Sequence, residues 1–424
     1  MTDARALDAV RPTDWSSDAM RRRVRRRYGA ERRFRLVGLG AILISASFLL
    51  ILLGSMIARG AGGFVETRVA MPIDFSRAAL DVDPARLSGR GADLALAGAG
   101  LRNVVEAAAL DAFGPDLGGR ILSDGAWLRV RDAVKADPAL LGRRAILSVP
   151  VASSIDVAAK GSGTPQAEAV VASLRSGDLL STGLNLDFLG AADSTDPTRA
   201  GIWGALKGSL LTMLVTMSLA FPTGLLAALY LEEYAPKNRW TDLLEVSINN
   251  LAAVPSIIFG LLGLALFLGV MGLPRSAPLV GGLTLALLTM PVIVITARNA
   301  ITAVPPSIRE AAMAVGASPV QVVFHHVLPL AMPGIMTGAI LGLARALGET
   351  APLLLIGMRA FIAAPPRGLT EPATALPVQI FLWSDEVSRG FVEKTSAAII
   401  VLLLLLLLLN GVAIYLRNRF ETRW

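Results

Sequence analysis

The sequence predicts a mainly α-helical integral membrane protein with six spans and an α/β-type domain inserted after the first. Three observations carry this. Hydrophobic residues fill 54% of the 424 positions, and mean hydropathy is +0.59. Charged residues make up only 17%, against about 25% in soluble domains. The apolar residues gather in runs near the ~20 residues that cross a bilayer. The one long stretch without such a run, about Ala58–Trp203, has a globular composition.

The first element is a basic tail, residues 1–35, in which Arg21–Arg35 holds nine arginines. The positive-inside rule puts it in the cytoplasm. The tail reads as topogenic, with anionic lipid as its contact. No aromatic platform accompanies the arginines, so no nucleic-acid partner is expected. The first span follows at residues 36–57. Its 22-residue run exceeds the 7–15 residues of a signal-peptide core, so it reads as an uncleaved anchor.

Residues 58–203 form the inserted domain, which the topology assigns to the periplasm. It holds 15 Lys/Arg and 17 Asp/Glu, a near balance that fits a folded soluble unit. About 145 residues suffice for a core of its own. Within it, Arg144–Ala159 reads as partly strand, with Ile146, Val149 and Val151 as its apolar positions. The stretch from Gly91 to Gly114 reads as helix. The domain has no His or Cys and only scattered carboxylates, so no catalytic site is expected.

Residues 204–416 hold five more spans: about Leu210–Leu231, Ser247–Val270, Pro278–Ala297, Ala331–Met358 and Ser396–Leu416. Six crossings return residues 417–424 to the cytoplasm, where Arg417, Arg419 and Arg423 agree with that side. Pro222, Pro255 and Pro291 should kink or interrupt their spans. Asn249, Asn250 and Ser256 are expected to hydrogen-bond between helices. Arg298 should snorkel or cap at the end of its span. The chain has no cysteine, and its only histidines are the adjacent His325 and His326. No metal site and no cofactor is therefore expected.

Between the fourth and fifth spans, residues 305–330 read as a helix–turn–helix projecting into the cytoplasm. Pro305 and Pro306 suit a helix start, and Gly316 can take a positive φ to end it. Ser318 and Pro319 then start a second helix as N-cap and first residue. On that helix Val320, Val323, Phe324 and Val327 are expected on one side.

The spacing of Glu310, Ala311, Ala312, Gly316, Leu328 and Pro329 resembles the E-A-A-x3-G-x9-I-x-L-P loop of ATP-binding-cassette (ABC) importer permeases. His326 stands where that pattern has Ile. The resemblance implies a type I importer permease core in a bacterial inner membrane. It also implies that the loop is the coupling helix docking into a separate ATPase. No G-x-x-x-x-G-K-[ST] occurs in the chain, so it is not expected to be an enzyme.

Further stretches narrow the family. Ala252–Leu264, Thr284–Ile295 and Ala344–Leu355 (ARALGETAPLLL) resemble permeases of phosphate-specific importers. Sulfate and molybdate permeases are similar up to A-R-x-L-G-E but then depart, whereas Thr350 to Leu354 follow the phosphate class. The long insertion and basic tail resemble the extended form of the PstA-type subunit. That resemblance implies phosphate import with a PstC-like second permease, a PstB-like ATPase dimer and a PstS-like periplasmic binding protein. Two alternatives stay open: another oxyanion (sulfate, molybdate, phosphonate), or an added role as a scaffold signalling phosphate status.

Arg345 and Glu349 are the only charges between Leu330 and Met358. Four apart, they would share a helix face. An ionised residue at mid-membrane costs about 2.5–3.5 kcal/mol even on the lenient insertion scales. An anion crossing a low-dielectric path needs a counter-charge. Arginine stays ionised, and its fork suits phosphate oxygens. Arg345, Glu349 and Thr350 are thus the candidate substrate-path residues. The bland alternative is a salt bridge joining helices.

Overall fold

The computed structural model describes residues 17–76 and 91–420, with Leu80, Val82 and Leu87 between them. Residues 1–16 of the basic tail and Arg423 of the C-terminal tail lie outside the described residues. The chain forms two units, residues 1–56 and 57–424. The first is essentially α1, Asp18–Gly60, one helix of 43 residues. At 1.5 Å per residue it is roughly 65 Å long, about twice the hydrocarbon core. The arginine cluster therefore continues the first span as helix rather than trailing from it as coil.

In the second unit, β1 (Val65–Asp74) is the centre of a three-stranded antiparallel sheet of order β2-β1-β3. Val69, Met71 and Ile73 alternate inward and are fully buried, the period-2 signature of a half-buried strand. Helices α2 (Ala92–Gly98), α3 (Leu101–Phe113), α4 (Pro115–Ile121) and α5 (Ala126–Ala136) follow. The single helix expected over Gly91–Gly114 is two helices, because Gly100 between them takes a φ of +78°. Val105 and Ala109 of α3 and Val130 and Val134 of α5 bury i, i+4 stripes against the sheet.

Strand β2 (Arg144–Pro150) pairs Val149 with Val69, and β3 (Leu180–Leu184) pairs Leu180 with the same residue from the other side. Ile146 is 74% exposed while Val149 and Val151 are buried. Positions 146 and 149 have opposite parity, so one strand cannot turn both inward. Between the two strands lie α6 (Ser153–Ala159) and α7 (Pro165–Ser176), the latter capped by Thr164. After β3 comes the short α8 (Leu186–Gly190). Close to residue 203, Phe188, Ala200 and Ile202 share an apolar cluster with Leu376, Trp383, Phe391 and Ala397 of the membrane bundle.

The bundle comprises α9 (Trp203–Leu229), α10 (Arg239–Ala252), α11 (Ser256–Gly263), α12 (Pro278–Thr302), α13 (Pro306–Ala314), α14 (Pro319–Val322), α15 (Leu328–Gly348), α16 (Ala351–Leu355), α17 (Leu376–Ser384) and α18 (Arg389–Phe420). Among the described residues, five helical stretches are long and apolar enough to cross a membrane, and α10 with residues 256–270 makes a bent sixth candidate. The span expected over Ser247–Val270 is interrupted at Pro255, as expected of that residue, and the pair bends by 100°. The cause is local. Pro255 cannot donate to the helix ladder and pushes the residue before it out of helical geometry. Pro222 and Pro291 sit inside helices that continue through them. Small residues let α9, α12 and α15 approach closely: Gly282 lies against Val215, and Gly338 against Thr296.

Candidate substrate path and coupling loop

The coupling loop is built by local chemistry. α13 ends at Gly316, whose φ of +93° only glycine adopts freely. Ser318 accepts from the Gln321 amide while Gln321 returns a bond to the Ser318 amide, a reciprocal capping box. From Pro319 the chain stays helical to Gly348, so the second arm of the expected hairpin is the start of the fifth span. Val323 and Val327 are buried, whereas Val320 and Phe324 are exposed. The four residues share an arc of about 100° on an ideal helix, and burial divides that arc, with Val323 and Val327 covered and Val320 and Phe324 open. Glu310, Ala311 and Gly316 are exposed, and Ala312 is buried in the bundle. Leu328 and Pro329 open α15 and are half-buried. Met313, Val315, Val320 and Phe324 leave an apolar surface on the loop.

Three arginines of the bundle invite comparison. Arg298 of α12 donates to Glu232 at 2.6 Å and pairs with Glu245 of α10 at 2.9 Å. Arg309 of α13 donates to Glu233 at 2.8 Å and to the carbonyls of Val304 and Ile301 at 2.7 and 3.1 Å. Ile301 lies in the last turn of α12 and Val304 two residues past its end, so the guanidinium sits at the carbonyl end of that helix. Glu232 and Glu233 are neighbours in a π-type turn that continues α9 to Tyr234. The expectation that Arg298 snorkels or caps is replaced by this: it ties α9, α10 and α12 together. Asn249, Asn250 and Ser256 make no side-chain hydrogen bonds to another helix among the described residues. Asn249 instead lines a cleft of about 560 Å³ beside Arg298.

Arg345 differs from both. Its one polar contact among the described residues is Nε to Glu349 Oε1, at 3.5 Å. Its side chain is 42% exposed, against 17% for Arg298 and 22% for Arg309. Both terminal nitrogens of its fork are free. The shared helix face expected for the pair is only half right. α15 ends at Gly348, and Glu349 is its C-cap in extended geometry. The half-buried Thr350 then precedes α16. The helix break thus sits at the charged pair, and Glu349 approaches Arg345 from non-helical backbone.

Comparison with known proteins bears on what carries this geometry. Residues 220–423 match the family described as binding-protein-dependent transport system inner membrane component. Residues 21–169 match a domain of unknown function, DUF3333. A probable ABC transporter permease protein, YqgI of Bacillus subtilis (strain 168), is 32% identical over 210 residues, 47% of this chain and 71% of that protein. Phosphate transport system permease protein PstA of Haemophilus influenzae is 33% identical over 202 residues, covering 47% and 70%.

The chain belongs to this permease family, as a member of PstA type. PstA 1 of Mycobacterium tuberculosis (strain H37Rv) is 38% identical over 156 residues, and the permease spans half of its length. Among solved structures, an inward-facing form of the MetNI methionine ABC transporter aligns with a TM-score of 0.42 at 19% identity, covering 52% of the permease and 98% of that chain. Sequence reasoning missed the Glu232–Arg298–Glu245 and Glu233–Arg309 contacts. The signal available was the adjacent Glu232 and Glu233 at the end of one apolar stretch, with Arg298 near the end of α12 and Arg309 in α13.

Proposed function

We propose that this permease subunit translocates inorganic phosphate into the bacterial cytoplasm as one half of a membrane path, with Arg345, Glu349 and Thr350 lining it. The observation that carries the reading is the open fork of Arg345. Where arginine serves as structural glue in this bundle, carboxylates and carbonyls of other elements engage two or all three of its nitrogens, with contacts at 2.6–3.1 Å. Arg345 has one long contact and two free terminal nitrogens, the arrangement a transient oxyanion needs. Glu349 orients the guanidinium and weakens its grip, so that an anion can leave. The PstA-type relatives support phosphate as that anion.

In this reading the chain hydrolyses no ATP. A PstB-like ATPase dimer receives the loop around Glu310, Ala311, Ala312 and Gly316 through its exposed apolar surface, while Leu328 and Pro329 set the start of the fifth span. A PstC-like subunit supplies the other half of the path, and a PstS-like protein delivers phosphate from the periplasm. Both termini lie in the cytoplasm, the chain crosses six times in a type I arrangement, and the α/β domain faces the periplasm. The test is uptake of radiolabelled phosphate into vesicles holding the full complex, with sulfate, molybdate and phosphonate as competitors. Competition by sulfate equal to that by unlabelled phosphate would overturn the assignment of substrate.

A further inference from the structure

The α/β domain is joined to the start of α18 by more than its connecting chain. Lys160, next to the end of α6, donates to Asp156 at 2.6 Å, to the Gly62 carbonyl at 2.8 Å and to Glu393 of α18 at 3.1 Å. These three charged side chains are all largely buried. The next residue, Lys394, is 5% exposed. Its Nζ donates to the Gly63 carbonyl at 3.4 Å and stands 4.7 Å over the Phe188 ring. Phe64, Phe188, Trp383 and Phe391 continue the joint as a run of ring contacts at 5.3, 6.5 and 5.9 Å. The backbones meet closely as well. A β-carbon on Gly63 would lie 2.7 Å from that of Ala397 and 3.0 Å from the Glu393 carbonyl oxygen.

A loosely tethered module would not bury charge in this way. Breaking a buried pair leaves an uncompensated ion, so such a joint is favourable only while both sides stay together. α18 in turn packs Leu402, Leu405, Leu406 and Leu409 against the cluster that holds Ala346 and Leu347 of α15. Those two residues follow Arg345. The line of contact from the domain therefore reaches α15 at the two residues that adjoin Arg345.

We propose that the α/β domain is a rigid extension of α18, and that Lys160 and Glu393 are positioning residues which, through α18, set the helix carrying Arg345. A load placed on the domain by a delivery protein then reaches the substrate path without a separate docking element. The coupling role rests on the permease reading above. Contiguity alone does not prove coupling, so the test reads rigidity and coupling separately.

The chain has no cysteine, so paired labels need no background removal. Spin labels at Ala172→Cys on α7 and Val392→Cys on α18, both exposed positions, report the joint by double electron–electron resonance in the reconstituted complex. One narrow distance population, with the same mean in the presence and absence of ATP, is expected. Glu393→Gln, which leaves Lys160 bonded to Asp156, should broaden it. Gly63→Val should broaden it by wedging the backbones apart. In the unlabelled assembled complex, Glu393→Gln should lower the stimulation of ATP hydrolysis by the binding protein about tenfold, within the span of energies that packed helices transmit. Its effect should be non-additive with that of Arg345→Lys. A broad or ATP-shifted distribution in the unaltered joint would overturn the rigid extension. A broadened joint with stimulation within twofold of normal, or strict additivity with Arg345→Lys, would overturn the positioning role. The label distances decide the joint even if phosphate proves not to be the imported anion, which keeps the two failures apart.

Discussion

Replacing Arg345 by alanine, alone and together with Glu349→Ala, separates a path residue from a structural one. The magnitudes differ enough to decide. Arg345 is partly exposed and its pair with Glu349 is long at 3.5 Å. Such a pair contributes about 0–1 kcal/mol to stability. Arg298 contacts two carboxylates at 2.6 and 2.9 Å, and its side chain is 17% exposed. Removing one partner of a buried pair costs about 3–5 kcal/mol, and the partial exposure of Glu245 brings the expected cost nearer the lower end. Arg345→Ala should therefore leave thermal stability of the purified complex almost unchanged and abolish phosphate uptake. Arg298→Ala should lower stability and yield of assembled complex before any transport step is reached. The double change Arg345→Ala/Glu349→Ala leaves no unpaired ion, so a purely structural pair would recover. A path arginine does not recover, because the phosphate still lacks its counter-charge. The assay is uptake into vesicles, normalised to assembled complex, beside a thermal melt in detergent. Near-normal uptake by the double variant would show that the pair only joins helices, and the path assignment would fall.

Gly316→Val puts a β-branched residue at a φ of +93°, a strain of about 1–3 kcal/mol confined to the loop; the subunit should insert normally yet stimulate little ATP hydrolysis, measured with the reconstituted ATPase. Arg309→Ala frees the carbonyls at the end of α12 and Glu233 together, and should uncouple ATP hydrolysis from uptake more severely than Arg309→Lys, which keeps the charge but loses the fork; the ratio of phosphate imported to ATP consumed reads this. Gly282→Val should block assembly, since its side chain would enter the space of Val215 at the α9–α12 contact, and size-exclusion chromatography would register the loss. Excising residues 66–184 behind a short linker should reduce delivery by the binding protein more than it alters anion preference, read by competition uptake. A changed preference would mean that the domain helps to select the anion.

What was legible in the sequence was local. The coupling loop could be read because each device sits within a few residues of its partner: Gly316 at a positive φ, Ser318 bonded to Gln321, Pro319 in the first helical turn. The apolar runs were legible for the same reason, since composition is a property of a window. The break at Pro255 was legible too, since proline cannot donate to the helix ladder; the 100° angle was not, because the window from Ser247 to Val270 is apolar whether or not the helix turns within it. The contact between domain and bundle was not legible for a related reason. Phe188 and Ile202 carry globular-domain neighbours in sequence, but they find their apolar partners on Trp383 and Phe391, nearly 200 residues away.

The candidate site shows the limit most plainly. In sequence, Arg298 and Arg345 look alike: each is a lone basic residue in or beside an apolar stretch. What distinguishes them is whether carboxylates converge on the guanidinium. Glu232 lies 66 residues from Arg298 and reaches it because α9 packs along α12. Among the described residues none does the same for Arg345, whose one polar partner there lies four positions along the chain. A local partner is what sequence can reveal, and it is also what a path residue retains when distant ones are withheld. The pair visible from the sequence is therefore the weaker interaction, and its weakness is the argument for function. A fork already filled, like that of Arg309, can transmit force but cannot receive an anion. An open fork can.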